Sequence, residues 1–353
     1  MKKHIFYFDA LRALAIICVV VLHATAMLRF SMPSNMTQVI RLDVIIEAIC
    51  NNSFRIGVDL FLVLSGALSL GREWKIKDFL SKRLVRITKP FIFWATFTSI
   101  LLIIFSYCFT QVHYVTAFDP ISLIKYVLET YIAKASGSTP YWFFCMILGT
   151  YLIMPIFNKW LLHSDLEEAE YFLVIWLFVS LVEETLGYTS PIKLSYFTSP
   201  IGLVVLGYYL RYTKREFLNN KKIAIFLIIF SAATMLVCSY AFPENNFFKT
   251  FSRYSILNII EVIGIVCLFK TSKSLENPNN ILKRITQALA RTSYGLYLVH
   301  CQIMIIIVRF LPLDKLGYTI EFLTLILGSL IISYILVTII SKIPHLDEYA
   351  GSK

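Results

Sequence analysis

The sequence predicts an all-α integral membrane protein: a bundle of about ten transmembrane helices with both termini in the cytoplasm. Three observations carry that expectation. Of 353 residues, 58% are hydrophobic and only 16% charged, a composition outside that of soluble domains. The apolar runs are continuous, not alternating, which argues against a β-barrel. The basic residues are unevenly spread. With Lys2 and Lys3 inside, and span-end residues counted with their loops, 22 of the 33 Lys/Arg fall on inner segments and 10 on outer ones, the bias that sets membrane orientation.

The spans read, in order, 5–27, 54–70, 90–110, 141–162, 169–187, 199–212, 222–242, 252–270, 289–311 and 318–341. The first, IFYFDALRALAIICVVVLHATAM, is long enough to cross a bilayer. It does not read as a cleaved signal, because its apolar region is too long, Arg12 interrupts it and no small-residue cleavage site follows. The second carries GVDLFLVLSG with Asp59, the fourth opens on the aromatics PYWFF, and the fifth holds Glu183 and Glu184. The sixth is the shortest. The eighth contains Glu261 and the ninth SYGLYLVH. Residues 121–133 form an apolar, partly amphipathic piece suited to the interface. No internal repeat or fused soluble domain is visible, so 1–345 reads as one membrane domain and 346–353 as a short cytoplasmic tail.

The seven cysteines lack CxxC spacing and lie mostly in spans, so they read as packing residues and no metal site is expected. The net charge of +11 is mostly topology signal and needs no nucleic-acid partner. No phosphate-binding glycine loop, HExxH or GxSxG is present.

Chemistry is expected where ionisable groups enter the membrane, since each costs about 2.5–3.5 kcal/mol even on insertion scales. Asp9, Arg12 and His23 all lie in the first span. Arg12 and His23 share a helix face, roughly 16 Å apart along the axis. His23 suits a general base, and depth alone places Asp59 near it as the orienting carboxylate. The bland alternatives are a histidine bonded at a helix end and an Asp9–Arg12 pair that neutralises itself. The segment GREWKIKDFLSKRLVRITKPF holds Arg83 and Arg86 at RxxR spacing, which puts two guanidinium groups on one helix face, able to grip phosphate oxygens. Its remaining cations answer to the positive-inside rule and anionic lipid. Arg55, Trp142, Tyr297 and His300 join Asp9 as candidate substrate-binding or supporting residues.

Five pieces, in order, carry a resemblance: FDALRALAIICVVVLHA with its R-x10-H spacing, GVDLFLVLSGALS, KRLVRITKPF, YWFFCMILGTYLIMPIF and SYGLYLVH. Together they resemble the acyltransferase-3 family of membrane acyltransferases, in particular its short, single-domain bacterial O-acetyltransferases, the enterobacterial common antigen type among them. The resemblance implies an O-acetyltransferase of the bacterial plasma membrane, moving an acetyl group from cytoplasmic acetyl-CoA to a hydroxyl of a surface glycan or its lipid-linked precursor. His23 would be catalytic, with Arg12, Arg83 and Arg86 at the donor. Many relatives carry a further SGNH-type domain, whose handover step this chain, ending near residue 353, is expected to lack. On this reading the pantetheine arm passes Arg12, Asp59 orients His23, and Trp142 or Tyr297 donates to the oxyanion. Transfer is direct, because no Ser or Cys is evidently paired with the base. The rival readings are a flippase for a lipid-linked sugar and a membrane scaffold without chemistry.

Overall fold

A computed structural model describes residues 5–31, 49–50, 52–109, 113–137, 139–188, 200–241, 252–313 and 317–352. Among these the secondary structure is helical, with no strand. The main helices are α1 (Phe6–Ser31), α2 (Ile56–Ser69), α3 (Ile76–Cys108), α4 (Pro120–Tyr131), α5 (Trp142–His163), α6 (Leu166–Val179), α7 (Pro200–Tyr212), α8 (Lys221–Ala241), α9 (Ile256–Lys270), α10 (Asn280–Phe310) and α11 (Tyr318–Ile340). The chain divides into two compact units. One comprises Met1–Glu73 with Ile153–Ala290, the other Trp74–Leu152 with Arg291–Lys353.

Among the described residues, six helices are long and apolar enough to span a membrane: α1, α3, α5, α8, α10 and α11. The other four expected spans correspond to shorter helices, all in the first unit. Of these, α2 has 14 residues, α7 13 and α9 15, while α6, with 14, continues without a break into the π-turn Ser180–Thr185. A 14-residue helix is about 21 Å long, short of a hydrocarbon core about 30 Å thick. Around α2 and α7 the surroundings are protein. Residues 201–210 of α7 are buried on every side, as is nearly all of α2. Helix ends at membrane depth are tolerated where protein, not lipid, surrounds them.

Small residues set this packing. A Cβ on Gly66 of α2 would overlap the Val204 carbonyl of α7, and one on Gly207 of α7 would overlap the Val63 carbonyl of α2. The two glycines let the backbones touch, as membrane helices require where apolar attraction between them is weak. Cations finish the helix ends. Arg211 Nη1 donates to the Ala67 carbonyl at 2.5 Å, and Lys270 Nζ to the Leu210 and Thr213 carbonyls at 2.9 and 3.3 Å. Terminal carbonyls that lack an intrahelical partner are satisfied in this way.

In the second unit, α3 runs unbroken for 33 residues, with Pro90 inside it. At about 50 Å it outruns the bilayer, so the basic stretch expected as a loop before a span at 90 is the helix's own first four turns. Its other end packs a small core of Leu102, Val115, Tyr126 and Ala135. The amphipathic piece expected at 121–133 is α4, capped by Asp119, whose Oδ1 accepts from the Ile121 and Ser122 amides at 3.0 and 3.1 Å. The Ser122 interaction holds the Asp119 carboxyl below its usual range. Ile121, Ile124 and Leu128 stand exposed along one face, the stripe an interfacial helix presents to lipid.

The glycine contacts yield a direct test. Gly66→Ala should lower stability by about 1–3 kcal/mol, read as a fall in apparent melting temperature by tryptophan fluorescence. Gly149→Ala is the control: nothing lies within 4 Å of a Cβ there, and alanine in a helix interior should be neutral or stabilise by about 0.5–1 kcal/mol.

Candidate functional site

The first unit holds five of the ten candidate residues: Asp9, Arg12, His23, Arg55 and Asp59. Because α1 is continuous, Asp9, Arg12 and His23 keep the facing their spacing implied, and all three are half-buried. The His23 ring hydrogen-bonds to the backbone of Val19, one turn back. The backbone group reachable at that offset is a carbonyl, so the ring N–H donates to it. In the neutral imidazole the other nitrogen then keeps its lone pair.

Asp59 does not fill the orienting role expected of it. It sits fully buried in the first turn of α2, and neither carboxylate oxygen has a hydrogen-bond partner among the described residues. Its charge partners are Arg253 first and Arg55 second. The carboxylate answers to arginines, while a backbone carbonyl orients the ring.

Arg253 is the residue sequence reasoning missed. It lies within electrostatic reach of His23, Asp59 and Arg55. The segment that carries it is pinned from both sides. After α6 the helix widens into a π-turn, Ser180–Thr185, where Thr185 Oγ1 donates back to the Ser180 carbonyl at 2.9 Å. That turn presents Glu184 Oε2 to Ser252 Oγ at 2.6 Å and Thr185 Oγ1 to the Ile256 amide at 2.8 Å. Asn258 Nδ2 donates to the Ser252 carbonyl at 2.7 Å, and Ser255 caps α9. Single π-turns of this kind gather at functional sites. A signal was present in the sequence: a cation at the outer edge of an expected span, where the positive-inside bias makes cations scarce. Glu261, further along α9, is buried and hydrogen-bonded to Ser53.

The second unit holds Arg83, Arg86, Trp142, Tyr297 and His300. Arg83 and Arg86 line one shallow groove of about 610 Å³, with Ser81, Lys82, Lys89 and Glu348 also on its wall. The Arg83 guanidinium lies over the rings of Phe79 and Tyr151, 5.8 and 6.0 Å from their centroids. Two aromatic faces hold a planar cation without consuming its donors. The RxxR spacing therefore does on a rigid helix what it promised in sequence, by placing both side chains at one opening.

Trp142 opens α5, half-buried against the Phe143 ring. Its neighbour Tyr141 is fully buried, with its hydroxyl 2.6 Å from Thr98 Oγ1 and donating toward the Trp94 and Leu298 carbonyls at 3.1 and 3.2 Å. Tyr297 Oη donates to the Pro140 carbonyl at 2.6 Å, so its proton is already engaged. His300 is fully buried, and Nδ1 bonds the Leu296 and Tyr297 carbonyls at 3.0 and 2.9 Å, which makes Nδ1 the protonated nitrogen and Nε2 an acceptor. Cys301 Sγ lies 3.4 Å from that Nε2, a thiol–imidazole contact that the sequence had not suggested. The Tyr141 and Tyr297 hydroxyls thus tie the segment that leads into α5 to α3 and α10.

A family model described as an acyltransferase domain matches residues 5–338. No curated protein and no solved structure matches the chain.

The arginine–carboxylate arrangement predicts that Asp59→Asn will destabilise the protein by about 3–5 kcal/mol, the usual cost of removing one partner from a buried charge group. Adding Arg55→Gln should restore part of the loss, because fewer cations are left uncompensated. Equal losses in the single and double variants would show that the charges are not coupled.

Proposed function

Since this chain is a member of the acyltransferase-3 family, and so a multi-pass membrane acyltransferase, we propose that it is an acetyl-CoA-dependent O-acetyltransferase acting on a cell-surface glycan or its lipid-linked precursor in a bacterial plasma membrane. The observation that carries the donor assignment is the groove of the second unit, where Arg83 and Arg86 stand side by side at one opening with Lys82 and Lys89. Coenzyme A brings several phosphates on a long flexible arm. Fixed arginines suit such a ligand, because bidentate guanidinium–phosphate pairs add geometry to charge.

On this reading His23 is the base. Its oriented ring takes the proton of the acceptor hydroxyl. The hydroxyl oxygen bonds to the thioester carbonyl carbon, the carbon–sulfur bond breaks, and the imidazolium returns its proton to the departing thiolate. Arg12, on the same face of α1, is the donor-side cation of the first unit, with Asp9 beside it as support. Arg253, Arg55 and Asp59 form a charged group suited to a hydroxyl-rich acceptor. The oxyanion needs a donor; Trp142 is one candidate, and Tyr297, whose hydroxyl serves Pro140, is the other.

His23→Ala should abolish transfer of labelled acetyl groups to glycan while coenzyme A still binds. Arg83→Ala with Arg86→Ala should instead weaken coenzyme A binding by at least tenfold, given about 1.5–3 kcal/mol for each hydrogen bond to a charged group. Cys301→Ala should leave transfer intact if the acyl group passes directly. Full activity in a folded His23→Ala protein would remove the base assignment. Movement of unlabelled lipid-linked sugar without acetyl transfer would identify a flippase.

A further inference from the structure

Residues 346–353, expected to trail into the cytoplasm, fold back as far as they are described. The turn Asp347–Ala350 packs on α3 and α11. Ala350 is fully buried, and its carbonyl accepts from Trp94 Nε1 at 3.2 Å. The Gly295 amide donates to the Gly351 carbonyl at 3.1 Å. Gly295 is needed there, because a Cβ on it would overlap the Ala350 carbonyl. Gly351 has φ +77, a left-handed conformation that glycine adopts at no cost. Tyr349 adds its ring beside Phe93 and under Lys89 Nζ, 5.7 Å away.

These contacts put one carboxylate in one place. Glu348 forms an ion pair with Lys89, and both side chains line the groove that holds Arg83 and Arg86. The groove thus has four cations, Lys82, Arg83, Arg86 and Lys89, and one acid, supplied by the chain's own C-terminal turn. The two side chains are 38% and 52% exposed, and exposed pairs of this kind contribute little to stability. The anchoring is therefore far stronger than the ion pair it positions: the turn is fixed, and the carboxylate at its edge is easily exchanged.

We propose that Lys89 is a third ligand for the donor's phosphates, and that Glu348 is a place-holder which yields Lys89 when a phosphate enters. This rests on the reading that the groove binds a phosphorylated acyl donor. It goes further in naming a ligand outside the RxxR pair and a competing acid built into the fold. A phosphate carries more charge than a carboxylate and offers more acceptor oxygens. It therefore displaces Glu348, while the Trp94 and Gly295 bonds keep the turn docked.

The test uses the full chain in nanodiscs of zwitterionic lipid with coenzyme A as the probe. Glu348→Gln removes the competing charge without touching the anchoring bonds, and should tighten coenzyme A binding about two- to fivefold. Lys89→Met should weaken it about tenfold. In the Lys89→Met background, Glu348→Gln should have no further effect. All variants must elute as monodisperse protein. Unchanged affinity in both single variants, with weakening on Arg83→Ala plus Arg86→Ala, would overturn this proposal and leave the donor reading standing. If wild type binds no coenzyme A but associates with phosphatidylglycerol vesicles through the same residues, the groove is a lipid headgroup site and both fall.

Discussion

Charge inside a bilayer must be answered by charge or by hydrogen bonds from the same chain, and the first unit is organised around that constraint. Asp59 is fully buried, with no hydrogen bond to its oxygens among the described residues. An isolated carboxylate in such a place would be prohibitively costly. The cations that act on it are Arg253, in the segment preceding α9, and Arg55, one turn before it in sequence. Arg253 lies in the segment preceding α9, to which a π-turn offers Thr185 and Glu184. A backbone irregularity, a pinned segment and a distant cation thus form one dependency. His23 inherits its surroundings from that group.

The short helices follow from the same economy. A helix facing lipid must be long, because lipid satisfies nothing. A helix wrapped by protein need not be. This is why α2 and α7, buried on nearly every side, stop at 14 and 13 residues, while α8 and α11 run to 21 and 23 with apolar side chains turned outward. The basic residues near the short helix ends then do double duty. Arg211 and Lys270, which count towards the positive-inside bias, also close the carbonyls of α2 and α7. A bias that reads as statistics in the sequence is in part a set of specific caps.

Much of this was legible. Composition and continuous apolar runs gave the helical membrane class, and the spacing of Arg12 and His23 gave their shared face because α1 is regular throughout. The RxxR spacing foretold a common opening because α3 continues unbroken through both arginines. The errors have physical causes. Hydropathy windows cannot tell a lipid-facing stretch from an apolar helix wrapped in protein, so nothing in them marks α2 and α7 as buried on nearly every side. Depth cannot tell which neighbour a buried acid will meet, so Asp59 was assigned to His23. Arg253 and the C-terminal turn are placed by contacts between residues far apart in sequence, and no local pattern records those. The thiol–imidazole contact of Cys301 and His300 was visible as adjacency alone, which says nothing about rotamers.

The groove on α3 shows why rigidity matters more here than the number of charges. Single exposed cations attract any anion weakly, and salt screens them. Lipid headgroups, free phosphate and a nucleotide would compete almost equally for a flexible basic loop. Arg83 and Arg86 are instead one turn apart on a helix that continues for about 33 Å beyond Arg86, and Arg83 is held over two aromatic rings. Lys89 lies one turn further, facing an acid that the fold itself keeps there. Fixed spacing turns weak attraction into selection, because only a ligand whose phosphates match the constellation gains from all of it at once. The acid sharpens this further. On the reading proposed for this groove, an anion that satisfies Lys89 no better than Glu348 gains nothing by entering, which would disfavour a carboxylate against a clustered phosphate.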